Sequence, residues 1–157
     1  MMNVRRHHSL IVISMTLTLS YAVMVMPVPE ILRLLRPNLV MLVMLYWLLR
    51  FPKSVGVGGA FFLGFVYDGV IGSPLGLHSL SFSLIASALL LLYSRWRMFT
   101  LLQQTLWVVI FLLIDQLVVA WGYGMIRRTE LHGWVWVSAL LGGLCWLGFN
   151  RVALSRH

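Results

Sequence analysis

Acidic residues are almost missing from this chain: Glu30, Asp68, Asp115 and Glu130 are the full set, against twelve Lys and Arg. Charged residues of both signs make up only 10% of the 157 residues. A water-exposed surface needs about 25%. With 61% hydrophobic residues and a mean hydropathy of +0.92, lipid must be the solvent for most of the chain. Cysteine is reduced to Cys145, which excludes an internal disulfide; it lies in an apolar run beside Trp146 and is expected to be a small buried hydrophobe. No zinc-spaced Cys/His cluster, HExxH, P-loop, dinucleotide fingerprint or nucleophile elbow is present, so no catalytic, cofactor or metal site is expected. Nor is any polar stretch longer than an ordinary connecting loop, which leaves no room for a soluble domain.

The net charge of +8 would suit a nucleic-acid partner if the basic residues formed a patch. They occur instead as short punctuation between apolar runs, the pattern of loops at a membrane surface. Cutting the chain at charges and Pro/Gly breaks predicts an all-α transmembrane fold of six helices in a single integral membrane domain. The helices fall at about 9–26, 37–49, 54–71, 75–93, 101–122 and 133–149. The first follows Arg5-Arg6-His7-His8 as a signal peptide would, yet it ends Met24-Val25-Met26-Pro27 without a small-x-small cleavage site. It is therefore expected to stay as an uncleaved transmembrane helix. The second is short for a span, with Pro37 suited to its first turn. The amphipathic stretch from Ile31 to Arg36 before it is expected to lie along the interface.

With the N-terminus inside, Arg5, Arg6, Arg50, Lys53, Arg95, Arg97, Arg151 and Arg156 face the cytoplasm. Arg33, Arg36, Arg127 and Arg128 fall outside, together with Glu30 and Glu130. That bias predicts six crossings and both termini cytoplasmic. Trp47, Trp96, Trp121, Trp134, Trp136 and Trp146 fall near proposed helix ends, as an interfacial belt requires, and Trp107 lies inside.

Two acids lie within predicted spans, where an ionisable group costs a few kcal/mol and usually has a task. Asp68 and Asp115 are placed at similar depth, ~21 Å from the cytoplasmic end. Three readings stay open. Each carboxylate accepts hydrogen bonds from neighbouring helices, helix N-termini or loop amides and holds the bundle together. Alternatively, Asp68 shapes a ligand or partner site near the outer surface. Or the pair is a proton-sharing catalytic dyad. Tyr67-Asp68 does look like the first motif of intramembrane aspartyl proteases, but Leu112-Leu113-Ile114-Asp115 lacks the glycines of the second. Around Asp68, Gly56, Gly59 (or Ala60) and Gly64 recur at helical spacing and suggest a small-residue groove on one face. Gly72-Ser73-Pro74-Leu75-Gly76 makes a compact turn into the next helix, with His78 in its first turn.

Arg36-Pro37-Asn38, Tyr46-Trp47, Pro52, the Gly64-x-x-x-Asp68-x-x-x-Gly72-x-Pro74-x-Gly76-x-His78 run, Arg97-x-Phe99 and Gln103-Gln104 resemble the MreD family of rod shape-determining proteins. The likeness covers nearly the whole chain. It implies a fold like the six-helix substrate-binding subunits of energy-coupling-factor transporters, with no enzymatic activity. It implies the bacterial inner membrane, with MreC as partner and, through a wider complex, MreB, RodZ and the synthases of lateral cell wall. Gly64, Asp68, Gly72, Pro74, Gly76, His78 and Asp115 are the structural or partner candidates. Asn38 departs from the acidic residue of the family pattern. A transporter substrate-binding subunit is the alternative. Such subunits present a small-residue row on the first helix, where this chain has Met15, Leu19 and Val23.

Overall fold

The computed structural model describes residues 2–27, 29, 36–126 and 135–154. Over them the chain forms six helices: α1 (Met2–Val25), α2 (Leu39–Arg50), α3 (Pro52–Ile71), α4 (Leu77–Trp96), α5 (Leu101–Ile126) and α6 (Val135–Leu154). The helix bounds differ from the expected ones mainly at the ends. Asn38, rather than Pro37, opens α2: its Oδ1 accepts the Met41 N–H at 3.2 Å, as an N-cap side chain does. The helix after the glycine turn starts at Leu77 rather than Leu75, because Gly76 takes a left-handed conformation just before it. Glu30, Arg33, Arg127, Arg128, Glu130 and Trp134, and most of the proposed interfacial stretch before Arg36, lie outside the described residues.

The helix expected to be marginal is the centre of the bundle. α2 is apolar on every side, and Val40, Met41, Met44, Leu45 and Leu48 are fully buried. It packs against α1, α3, α4 and α6. A helix ringed by others needs no lipid-facing stripe, and its ~18 Å length follows from its 12 residues. Around it, α3 and α4 form the closest antiparallel pair, followed by α5 with α6 and α4 with α5.

The outer faces are strongly apolar. Phe61 and Phe65 on α3, Leu80, Leu84 and Leu91 on α4, Leu102, Leu106 and Ile110 on α5, and Leu140 and Leu144 on α6 all point away from the core. In water this belt would be an aggregation liability; in lipid it is the expected surface. Two of the helices, over Leu77–Trp96 and Leu101–Met125, are long and apolar enough to cross a bilayer by length and composition. The architecture is that of a helical membrane protein.

Two expectations need correction, the tryptophan belt and the burial of Cys145. Trp47, Trp96 and Trp146 sit near helix ends but are buried against the core, not displayed in a belt; the Trp47 indole N–H donates to Thr16 Oγ1 at 2.9 Å on α1. Trp121 is 63% exposed and keeps the outward position. Cys145 is exposed: α6 packs through Ser138, Ala139, Gly142, Gly143 and Trp146, which turns Cys145 outward.

Candidate functional site

The glycine-rich turn positions its own carboxylate. Asp68 lies in the last turn of α3, which closes on Gly72 in a left-handed conformation (φ 69°) favourable to a residue without Cβ. The Gly72 and Ser73 N–H groups return to the Asp68 carbonyl. The chain then reverses through Pro74 and Leu75 into α4, whose first N–H groups have no partner within their own helix. Asp68 supplies one from outside that helix. Its Oδ2 accepts the Gly76 N–H at 2.9 Å, and its Oδ1 accepts the His78 N–H at 3.2 Å. Ser73 Oγ donates to Oδ1 at 2.6 Å, and His78 Nδ1 lies 2.7 Å from the same oxygen. Asp68 is fully buried, and an anion at the start of a helix is favoured by the helix dipole.

Close approach of α3 and α4 makes this possible. A Cβ on Gly64 would lie 2.6 Å from the His78 carbonyl carbon and oxygen and from the Ser79 Cα. Only a glycine lets the two backbones come that near. The expected small-residue stripe is therefore shorter than Gly56 to Asp68. Ala60, Gly64 and Asp68 are buried, whereas a Cβ on Gly59 would meet only Val55 of its own helix. At Gly56 the helix is broken by a non-helical backbone (φ 52°, ψ −175°).

Asp115, in the middle of α5, carries a second network. Its Oδ1 accepts Ser81 Oγ at 2.6 Å and its Oδ2 accepts Asn38 Nδ2 at 3.0 Å. Asn38 thus caps α2 with its oxygen and ties α5 with its nitrogen. Ser138 Oγ on α6 donates to the Arg36 carbonyl at 3.0 Å and accepts from Gln116 Nε2 at 3.3 Å. Tyr21 Oη on α1 donates to the Leu63 carbonyl at 2.7 Å. These bonds cross from one element of the bundle to another, whereas Ser20 Oγ turns back on the Leu17 carbonyl of its own helix and Ser79 Oγ is buried without a partner among the described residues.

The two acids therefore meet the same helix, at His78 and Ser81, one turn apart on α4. Among the described residues no hydrogen bond joins them, and each of their four oxygens is held by a donor from elsewhere. Gly64, Asp68, Gly72, Gly76 and His78 form one contiguous unit, with Pro74 in its turn. Asp115 stands on a separate network. Ser73 as a partner of Asp68, and Asn38 and Ser81 as partners of Asp115, were not singled out from the sequence. Only Ser73, five residues from Asp68, carried a local signal. The Asn38 and Ser81 contacts are 77 and 34 residues distant from Asp115. No group of three or more potential metal ligands occurs among the described residues.

The comparisons with known proteins agree on one family. The profile of the rod shape-determining protein MreD family matches residues 4–151. This chain belongs to the MreD family. A rod shape-determining protein MreD from Haemophilus influenzae is 32% identical over 120 residues, covering 76% of this chain and 74% of that protein. No solved structure matches the chain. Membership in MreD connects the chain to rod-shape determination at the membrane, and the buried ties just described are the interior of an MreD bundle.

Proposed function

We propose that this chain is a non-enzymatic membrane scaffold of the bacterial cell-elongation machinery. It would determine rod shape and regulate lateral peptidoglycan synthesis together with MreC, and through the wider complex with MreB, RodZ and the cell-wall synthases. The observation that supports a scaffold over an enzyme is the use made of the two intramembrane acids. Asp68 and Asp115 spend all four carboxylate oxygens on fastening helices, so neither is poised to share a proton or activate a water.

The finer placement belongs to the same proposal. The bundle sits in the inner membrane with six crossings and both termini in the cytoplasm, in a fold like the substrate-binding subunits of energy-coupling-factor transporters. The loop-charge bias supports this topology. Depletion in a rod-shaped host tests the reading. Cells are expected to round up, and tagged protein solubilised from the membrane is expected to bring MreC with it. Normal rods after depletion, or a complex without MreC, would contradict it.

A further inference from the structure

The Asp68 unit borders a cavity that the scaffold role does not use. It has a volume of about 710 Å³ and lies where the end of α1, the ends of α3 and α5, the start of α4 and Arg36 converge. Its walls are mixed. Arg36, Tyr67, His78 and Tyr123 line it together with apolar side chains such as Val70 and Val119. The fold uses these polar groups only in part.

Tyr67 is the most telling. Its ring is 97% buried, stacked on Phe82 at 6.0 Å and edge-on to His78 at 4.8 Å. Yet its hydroxyl makes no hydrogen bond to any described residue. The hydroxyl is not sealed in the core with the ring: it opens into the cavity, where it is free to donate. His78 uses Nδ1 on Asp68 and leaves Nε2 without a partner among the described residues. Arg36 gives one terminal nitrogen to the Met24 and Met26 carbonyls, at 3.2 and 3.4 Å, and keeps its other N–H groups free of described partners.

We propose that this cavity binds the phosphate-bearing headgroup of an anionic membrane lipid. Arg36 is the one charged side chain among the described residues that line it, and no described acid does. The planar guanidinium fork matches phosphate oxygens, and the Tyr67 and Tyr123 hydroxyls add neutral donors. The apolar half of the wall takes the first carbons of the chain. In a protein surrounded by lipid, such an amphiphile is the available anion with both properties. The phosphate end would lie against Arg36 and the Tyr67 hydroxyl, and Asp68 would hold His78 in place behind them.

The probe is dodecyl phosphate, added to the full-length protein in maltoside micelles while thermal unfolding is followed. Inorganic phosphate serves as the free-anion arm, and added dodecyl maltoside as the neutral arm of equal chain length. A saturable rise in the midpoint is expected with dodecyl phosphate alone. Tyr67→Phe keeps the stacked ring and removes only the unpaired hydroxyl, so it should fold normally and raise the half-saturating concentration about tenfold, as loss of a charged hydrogen bond does. Arg36→Gln should weaken binding further than Arg36→Lys. An equal response to inorganic phosphate would overturn the lipid assignment. A non-saturable response, or wild-type affinity in Tyr67→Phe, would overturn the site itself.

Discussion

Replacing Gly64 by alanine probes the contact on which the Asp68 unit depends. The added methyl would sit 2.6 Å from backbone atoms of His78 and Ser79, against 3.4 Å for an ordinary contact. Backbone cannot rotate aside, so α4 must retreat by about 0.8 Å, the difference between these distances. The same retreat would stretch the 2.7 Å His78–Asp68 bond to about 3.5 Å, beyond useful hydrogen-bond length. Overpacking costs about 1–3 kcal/mol, and one weakened hydrogen bond adds about 1 kcal/mol. A loss of roughly 2–4 kcal/mol follows, equivalent to about 4–16 °C in the thermal midpoint for a chain of this size. Gly69 is the internal control, since a Cβ there meets nothing within 4 Å. Gly69→Ala should leave stability unchanged or raise it by under about 1 kcal/mol through helix propensity. Thermal unfolding of both variants in one detergent reads the contrast. Equal midpoints for Gly64→Ala and Gly69→Ala would refute the close-packing argument.

Other substitutions separate the remaining contributions. Asp115→Ala leaves the Asn38 amide and the Ser81 hydroxyl without their acceptor in the bundle interior. It should destabilise by about 2–5 kcal/mol in the same unfolding assay. Gly72→Ala forces an alanine into the left-handed region at φ 69° and should cost about 1–2 kcal/mol, with the pairing of α3 and α4 otherwise intact. Cys145 faces outward, so N-ethylmaleimide should label the native protein in detergent at a rate close to that of the denatured chain. Labelling that requires denaturant would place the thiol inside the bundle.

How much of this was legible in the sequence depended on distance along the chain. The six apolar runs marked the helices, because helix length and the solvent are both set by local composition. The glycine turn after Asp68 was legible too, since Gly72, Gly76 and His78 lie within ten residues of the acid, but the Ser73 hydroxyl as the carboxylate's partner was not. The central place of α2 was not. A short run that is apolar on all sides reads as a weak span from sequence, and as a core helix only when its neighbours are known. The tryptophans failed for a related reason: helix ends hold both interfacial anchors and inward plugs, and proximity to an end cannot tell Trp47 or Trp146 from Trp121. Cys145 shows the same limit, because α6 is too uniformly apolar for its buried face to be read from spacing. The partners of Asp115 were beyond reach, since Asn38 and Ser81 carry the ordinary marks of a helix cap and a polar helix residue.

The central claim is that the membrane-embedded acids serve architecture within a shape-determining scaffold, and Asp115→Asn tests it most directly. The asparagine oxygen can still accept from Asn38, and its amide can donate to Ser81 once that hydroxyl turns, so the tie survives while the carboxylate is gone. The measurement is cell shape in a rod-forming strain whose own copy is depleted and which carries Asp115→Asn, with the membrane level of the variant determined alongside. The account predicts rods at a normal protein level. Round cells containing folded variant at that same level would mean that the carboxylate does chemistry, and the scaffold reading would fall.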